Sequence, residues 1–189
     1  MSNLKMVYIL AISSSLLLLL LAFFSYLLFQ EFIIGIEKED LFVFAYSNDS
    51  MKEFLANANV ADSEYLKGYA IVDNYKILAD IALTDKQVQD GLAIKNSMTE
   101  NEGMLFFLGE PRKAPFWMKN MKFPIDIIWL DENFSIVHIE QELQPCKSVF
   151  YCKSYTPNSE ALYVLETIAG FTKKHNLQIG DNIDFQLIK

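Results

Sequence analysis

A run of about 25 residues without a charged side chain, Met6–Gln30, constrains what this chain can fold into more than any other feature. As a helix, the run is long enough to cross a bilayer core of roughly 30 Å. Lys5 precedes it and Glu31 follows it, and a positive N-terminal flank favours a cytoplasmic N-terminus. We therefore predict a single-pass membrane protein with an anchor over residues 1–36 and an extracytoplasmic C-terminal domain.

A cleaved secretory signal is the alternative for this run. Such signals have an apolar region of roughly 7–15 residues followed by a small-x-small cleavage site. The run here is longer, and Phe24–Phe32 contains no clean site of that kind. This favours an uncleaved anchor, and both interpretations export the rest of the chain.

The charge of the chain limits the partners that it can bind. A net charge of −8 argues against a nucleic-acid partner, because phosphate recognition needs clustered cations. The sequence has no Gly-rich phosphate loop and no nucleophile elbow, and neither histidine has a nearby serine or cysteine arranged as a nucleophile. We expect no metal, no organic cofactor and no catalytic residue of these classes.

Short apolar segments separated by turns predict the fold. Residues 37–67 are predicted to be a spacer with a short helix, because Ser50–Glu53 has the form of a capping box. Thr84 and Gln87 form a second such box, which opens a helix that Gly91 closes. The strand spacing predicts a mainly β, compact antiparallel barrel or sandwich over residues 68–189, with two or three short helices. The predicted strands are Tyr69–Val72, Lys76–Leu83, Met104–Leu108, Pro115–Met121, Ile125–Leu130, Phe134–Leu143, Ala161–Glu166 and Asn182–Ile188.

The two cysteines, Cys146 and Cys152, are separated by five residues. Outside the cytoplasm such a pair often forms a disulfide. Two free thiols are the alternative. A zinc site with His138 and His175 fits no common structural zinc spacing.

The motifs of the C-terminal part follow an order that resembles the family of domain of unknown function 192. The resemblance covers Lys76–Phe185 and implies a compact β-rich domain, often exported or membrane-anchored, whose activity is not established. The chain departs from the family pattern in its first helix, where Val88 and Asp90 stand among positions that are usually basic, and at Ala93, which follows Leu92. The matching positions are Gly91-Leu92, Gly103-Met104-Leu105, Trp117-Met118-Lys119-Asn120, Pro124 and Asp126, Cys146 and Cys152, and Glu166 and Gly170.

The candidate site centres on Trp117, Lys119 and Asn120, which precede a turn at Phe123–Pro124. Trp117 is predicted to be a stacking wall, Lys119 a cation for an anionic group and Asn120 a hydrogen-bonding group. Asp126 is predicted to return on the next strand as an acceptor beside them. The structural alternative is that Lys119 and Asp126 brace a hairpin, with Asn120 in its turn and Trp117 in the core.

Further residues extend or limit this site. Glu166 is a candidate ligand-binding residue, although a solvated strand face is the commoner environment for such a carboxylate. A basic island in an acidic chain favours a polar or anionic ligand, and it consists of Arg112, Lys113, Lys119 and Lys122.

We therefore expect a membrane-anchored extracytoplasmic domain that binds a polar or anionic ligand, such as a glycan, carboxylate or phosphate. One alternative is a hydrolase or lyase that uses Asp126 and Lys119. Another is an accessory protein of the cell envelope that docks a protein partner. The sequence defines neither the ligand nor the oligomeric state.

Overall fold

The computed structural model of the protein describes residues 48–146 and 151–188. All of them lie in one unit, which spans Val43–Lys189. The predicted anchor over residues 1–36 lies outside the described residues. Within the described residues, none of the helices has both the length and the apolar character that a membrane crossing requires. The predicted domain boundaries after residues 36 and 67 stay predictions.

The domain is mainly β, as predicted, with nine strands and a few short helices in the described residues. The α-helices are α1 (Asn48–Asn57), α2 (Asp85–Asp90) and α3 (Phe171–Lys174), and a 3-10 helix (Gly91–Ile94) follows α2. The strands are β1 (Leu66–Val72), β2 (Tyr75–Ala82), β3 (Glu102–Arg112), β4 (Phe116–Trp117), β5 (Ile125–Leu130), β6 (Ile136–Leu143), β7 (Ser154–Tyr155), β8 (Ala161–Ile168) and β9 (Asp184–Ile188).

Seven strands form one sheet in the order β6-β5-β8-β3-β2-β1-β9, and β4 pairs with β7 in a separate sheet of two strands. The prediction of an antiparallel arrangement is wrong at one place, because β2 and β3 are parallel. Their connection contains α2 and the 3-10 helix, and a crossover of this kind returns the chain to the end at which the previous strand began.

The seven-stranded sheet is not closed, so the predicted barrel is wrong. Strands β6 and β9 are its edges. Among the described residues, the β-pairing between the two ends of the sheet is a single bridge from Ser135 to Asn182, just before these strands. A closed barrel requires a continuous hydrogen-bonded ladder between the first and last strands.

The predicted turn between β1 and β2 and the predicted start and end of α2 are confirmed. Asp73 has a φ of 52° in the tight turn between β1 and β2. Thr84 caps α2, with its side chain accepting a hydrogen bond from the Gln87 N–H, and the Gln87 side chain completes the capping box. Gly91 ends the helix at a φ of 51°, a backbone conformation that glycine adopts without a steric penalty.

Helix α1 lies in the segment that the sequence predicts as a spacer. It begins at Asn48, before the predicted cap at Ser50. Met51 and Leu55 are one helical turn apart, and both are buried against the sheet. The predicted short helix therefore exists, and it contributes to the hydrophobic core of the domain.

Hydrophobic clusters cover both faces of the large sheet. On β8, neighbouring residues belong to different clusters, with Leu165 in the first and Val164 in the second. The first cluster includes α1 and α3, whereas the second includes Leu92 of the 3-10 helix and Trp129. Because both faces are covered, β5 and β8 are almost continuously buried.

The predicted strand Pro115–Met121 is mostly absent, because only Phe116–Trp117 is a strand. It pairs with β7 rather than with β5, so the predicted hairpin between Trp117 and Asp126 is wrong. Asn120 has a φ of 61°, and this conformation turns the chain away from an extended course. Asp126 instead faces Thr167 of β8.

Candidate functional site

A cavity of about 410 Å³ opens on the face of the sheet that carries the second cluster. Strands β3 and β8 form its inner wall, α2 and the 3-10 helix form one side, and the chain between Arg112 and Trp117 forms the other. Its volume is in the range of small-molecule sites. The apolar lining residues include Val88, Leu92, Phe106, Leu108, Phe116 and Met121.

A buried glutamine fixes the helical side of this cavity. Gln87 is fully buried, and its side-chain oxygen accepts hydrogen bonds from the N–H groups of Leu83 at 2.8 Å and Thr84 at 3.2 Å. Its side-chain nitrogen donates to the carbonyl oxygens of Ala61 and Glu64. These bonds tie α2 to the chain before β1, so the helical wall is held in place.

Edge-to-face aromatic contacts hold the opposite side. The ring of Phe116 lies 5.0 Å from the ring of Phe106 and 5.9 Å from that of Trp129, measured between centroids. The indole N–H of Trp129 donates to the carbonyl oxygen of Ala114 at 3.2 Å. The ring contacts and the hydrogen bond together attach the chain after β3 to the core. Edge-to-face packing of this kind is a favourable geometry for aromatic rings.

A disulfide supports the strand that carries Trp117. The structure joins Cys146 to Cys152, which is one of the alternatives that the sequence left open. The N–H of Cys146 donates to the carbonyl oxygen of Met118 at 3.1 Å. Just after the disulfide, Ser154 pairs with Trp117 in the two-stranded sheet. Contacts of Cys146 and Ser154 therefore hold the chain around Trp117 at the cavity.

Glu166 lies at the inner wall of the cavity. It is 4% exposed, between Met104 of β3 and Ile127 of β5. The expectation of a solvated strand face is therefore wrong. Burial raises the pKa of Glu166 to about 8, while a backbone hydrogen bond from Leu92 acts in the opposite direction. At neutral pH the side chain is an uncharged carboxylic acid.

Positive charges lie on the outer part of the cavity. Arg112, Lys113 and Lys119 line it and are exposed. None of them takes part in the ion pairs found among the described residues. Two carboxylates also line the cavity, and one of them, Asp90, is paired with Lys86. The arrangement gives the outer part an excess of positive charge.

Trp117 and Lys119 also border a second, adjoining groove of about 500 Å³. Trp117 is 48% exposed, and the Lys119 ammonium lies 6.0 Å from the centroid of its ring. Asn120 lines this groove but not the first cavity. The structure therefore brings Trp117, Lys119 and Glu166 together around one cavity and places Asn120 beside it.

Asp126 does not belong to this cavity, and the expectation that it lies beside Lys119 is wrong. It is fully buried on β5. One carboxylate oxygen accepts from the N–H groups of Glu142 at 2.7 Å and Gly170 at 3.0 Å. The other accepts from the N–H of Thr172 at 2.9 Å and its hydroxyl at 2.6 Å. Asp126 therefore ties β5 to the end of β6 and the start of α3.

The site thus defines a class of protein, a mixed β domain with an open cavity that has a partly apolar lining and a basic outer part. The chain belongs to the DUF192 family, described as uncharacterized ACR, whose family model matches residues 70–185. This confirms the resemblance found in the motifs.

Two solved structures are similar to this chain in fold. One is a candidate transcription regulator from Sinorhizobium meliloti 1021, with 24% identity and a TM-score of 0.55 over 69% of this chain and 98% of its own. The other is a protein of unknown function from Novosphingobium aromaticivorans DSM 12444, with 21% identity and a TM-score of 0.55 over 69% and 95%. At this identity the likeness concerns the fold alone. No curated protein matches the chain.

Proposed function

We propose that the protein binds a small anionic ligand whose apolar part enters the cavity and whose charge lies at its basic outer part. The observation that carries the proposal is the cavity bordered by Arg112, Lys113 and Lys119 in a chain with a net charge of −8. Cations on an acidic protein that are not used in ion pairs favour an anion at that place. Carboxylates, phosphates and acidic sugars have the required chemistry.

The apolar lining supports an amphipathic ligand over a bare ion. Val88, Phe116 and Met121 line the cavity and are only partly buried, so they still present apolar surface to it. Their surface gains free energy from contact with an apolar group, at roughly 25 cal/mol per Å² removed from water. Trp117 adds a flat, half-exposed ring at the edge, and such a ring packs against an apolar or sugar face.

A hydrolase or lyase that uses Asp126 and Lys119 has less support. Lys119 borders the cavity, but Asp126 is absent from its lining and accepts four hydrogen bonds elsewhere. A general base must reach the proton that it abstracts. Binding without chemistry at this pair is therefore the better interpretation.

We also propose that the domain is anchored in a membrane and lies outside the cytoplasm. The charge-free run Met6–Gln30 supports the anchor, and Lys5 before it supports the orientation. The disulfide between Cys146 and Cys152 supports export, because disulfides persist mainly in oxidising compartments. Protease added to intact spheroplasts should remove a C-terminal tag. A tag that is cleaved only after lysis would contradict this orientation.

Calorimetric titration tests the binding proposal on the full-length protein in lipid nanodiscs, with empty nanodiscs as the blank. Isocaproate and isocaproamide are suitable probes because they differ in charge but little in shape. We expect the anion to bind more tightly, and Lys119→Ala and Arg112→Gln each to weaken it roughly threefold or more. The effect should shrink as salt is added.

Lys173→Ala is the matched control, because Lys173 is exposed on α3 and does not line the cavity. It removes one positive charge and should leave the affinity unchanged. Equal binding of the anion and the amide would overturn the proposal. Equal losses in Lys119→Ala and Lys173→Ala would show that only the overall charge matters, which would overturn it as well.

A further inference from the structure

We infer that Glu166 determines specificity in this cavity, by donating a hydrogen bond from its carboxylic acid to an uncharged oxygen at the inner end of the ligand. The inference rests on the proposed function and deepens it. The ligand class becomes an amphipathic anion that carries a carbonyl or hydroxyl oxygen at the end opposite its charge.

The position of Glu166 is the first step of the argument. It belongs to the inner wall, between Met104 and Ile127 on the neighbouring strands. The cations belong to the exposed chain on the outer part. A ligand that fills the cavity therefore has both the Glu166 carboxyl and the exposed cations in its surroundings, together with apolar side chains such as Leu92 and Phe106.

The hydrogen bonding of Glu166 is the second step. Within the described residues, the buried side-chain atoms without a partner are Tyr163 Oη, Glu166 Oε2 and Thr167 Oγ1. Of these three residues, Glu166 is the one that lines the cavity. Buried polar atoms normally have a hydrogen-bond partner, because leaving one without a partner destabilises the fold. Oε2 itself is shielded from the cavity as the side chain stands, so a rotation of the carboxyl brings it to a ligand oxygen, which then supplies the missing partner.

The protonation of Glu166 is the third step. The charged groups that face the cavity from the packed elements are Asp85, Asp90, Arg112, Lys113 and Lys119. None of them is a cause of the raised pKa of Glu166, which comes from burial. The carboxyl of Glu166 is therefore protonated at neutral pH because it is buried, and the charged groups around the cavity are not the cause. In that form it donates a hydrogen bond and does not repel an anion.

Asp126 provides a comparison within the same sheet. It lies on β5 beside Thr167, one position from the pair of Ile127 with Glu166. The fold supplies four hydrogen bonds to Asp126. A carboxylate with a purely structural role is thus fully partnered in this domain, and Glu166 is not.

Two nearly isosteric anions test the inference on the full-length protein in nanodiscs. Levulinate has a ketone oxygen where isocaproate has a methyl group, and both carry one carboxylate. We expect the wild-type protein to prefer levulinate by roughly tenfold at pH 7, the value of one well-made hydrogen bond in a buried site. Glu166→Leu should remove or reverse this preference. Glu166→Gln should keep it, because the amide N–H also donates.

The pH dependence gives a second readout. In the wild-type protein the preference for levulinate should disappear as pH rises through about 8, where Glu166 ionises. In Glu166→Gln it should not change. If Glu166→Leu does not fold, the comparison of the wild-type protein with Glu166→Gln across pH still tests the inference.

The outcomes separate the inference from the proposed function. Equal binding of both anions to the wild-type protein and to Glu166→Gln, at every pH, would overturn the inference and leave anion binding intact. A preference that is the same in Glu166→Leu as in the wild-type protein would do the same. Binding of neither anion would overturn the proposed function, and the inference with it.

Discussion

Replacing Glu166 with glutamine is expected to change how the stability of the domain depends on pH. Burial raises the pKa of this carboxyl from 4.5 to about 8 in the folded protein. In the unfolded chain the carboxyl is in water and ionises at its ordinary pKa. Below pH 4.5 both states hold the proton, so the carboxyl then carries no ionisation penalty.

The size of the effect follows from these two values. Between pH 4.5 and about 8 only the unfolded state loses the proton. Each pH unit in this range lowers the free energy of unfolding by about 1.4 kcal/mol. At pH 7 the wild-type protein has therefore lost about 3 kcal/mol relative to pH 4, and Glu166→Gln has not. This loss is a substantial fraction of the roughly 5–15 kcal/mol by which whole domains are typically stable.

Equilibrium urea unfolding measures the difference, with the fluorescence of the two tryptophans as the signal. The full-length wild-type and Glu166→Gln proteins are compared at pH 4 and pH 7 in the same micelles. Comparing the two pH values removes the constant cost of the substitution. We expect the variant to gain about 3 kcal/mol relative to the wild type between pH 4 and pH 7.

Glu102→Gln is the control, because its stability relative to the wild type should change in the opposite direction between pH 4 and pH 7. Hydrogen bonds from the Thr99 side chain and backbone lower the pKa of Glu102. The ionised Glu102 therefore stabilises the folded wild-type protein above the pKa of the unfolded chain, and this stabilisation is lost as pH falls. Glu102→Gln cannot gain it, so this variant should lose stability relative to the wild type between pH 4 and pH 7. The same pH dependence in Glu166→Gln and in the wild type would refute the buried, protonated state of Glu166.

Three further substitutions test the framework around the cavity by urea unfolding at pH 7. Asp126→Asn should cost about 3 kcal/mol, because one amide oxygen cannot accept all four of the hydrogen bonds that the carboxylate accepts. Gly103→Ala should cost roughly 1–3 kcal/mol, since its Cβ would lie 2.8 Å from the Glu166 carbonyl oxygen. Thr84→Ala should cost about 1 kcal/mol through the lost cap on α2, whereas Thr84→Ser should cost little. Unchanged unfolding midpoints would contradict these assignments.

Features that depend on neighbouring residues could be predicted from the sequence. The Thr84 capping box and the end of α2 at Gly91 are examples, because the groups that make these bonds are a few residues apart. The parallel pair of β2 and β3 also had a signal in the sequence, namely the helix predicted between them. A helical connection of this length is typical of a parallel crossover, and the antiparallel prediction gave it too little weight.

The partner of Trp117 could not be predicted in this way. Strand β4 has two residues and pairs with Ser154–Tyr155, which lie beyond two intervening strands, β5 and β6, and beyond both cysteines. So short a strand has no periodicity to read. Its pairing is set by long-range packing and by the disulfide, and neither of them is visible in the sequence next to Trp117. The predicted hairpin to β5 was the local alternative, and it was wrong for that reason.

The two buried carboxyls of the sheet carry the main lesson about the site. Asp126 and Glu166 both interrupt apolar strands, and from the sequence Asp126 is the stronger candidate for the site. They lie on opposite faces, since Ile127, the neighbour of Asp126, is paired with Glu166. On one face, the turn at Gly170 and the start of α3 supply donors to Asp126. On the other face, the chain leaves a cavity next to Glu166. Tyr163 and Thr167 also have a buried oxygen without a partner, so the missing hydrogen bond alone does not single out Glu166. What distinguishes Glu166 is that it is also part of the cavity lining, so this residue rather than Asp126 is the one through which the function of the domain should be sought.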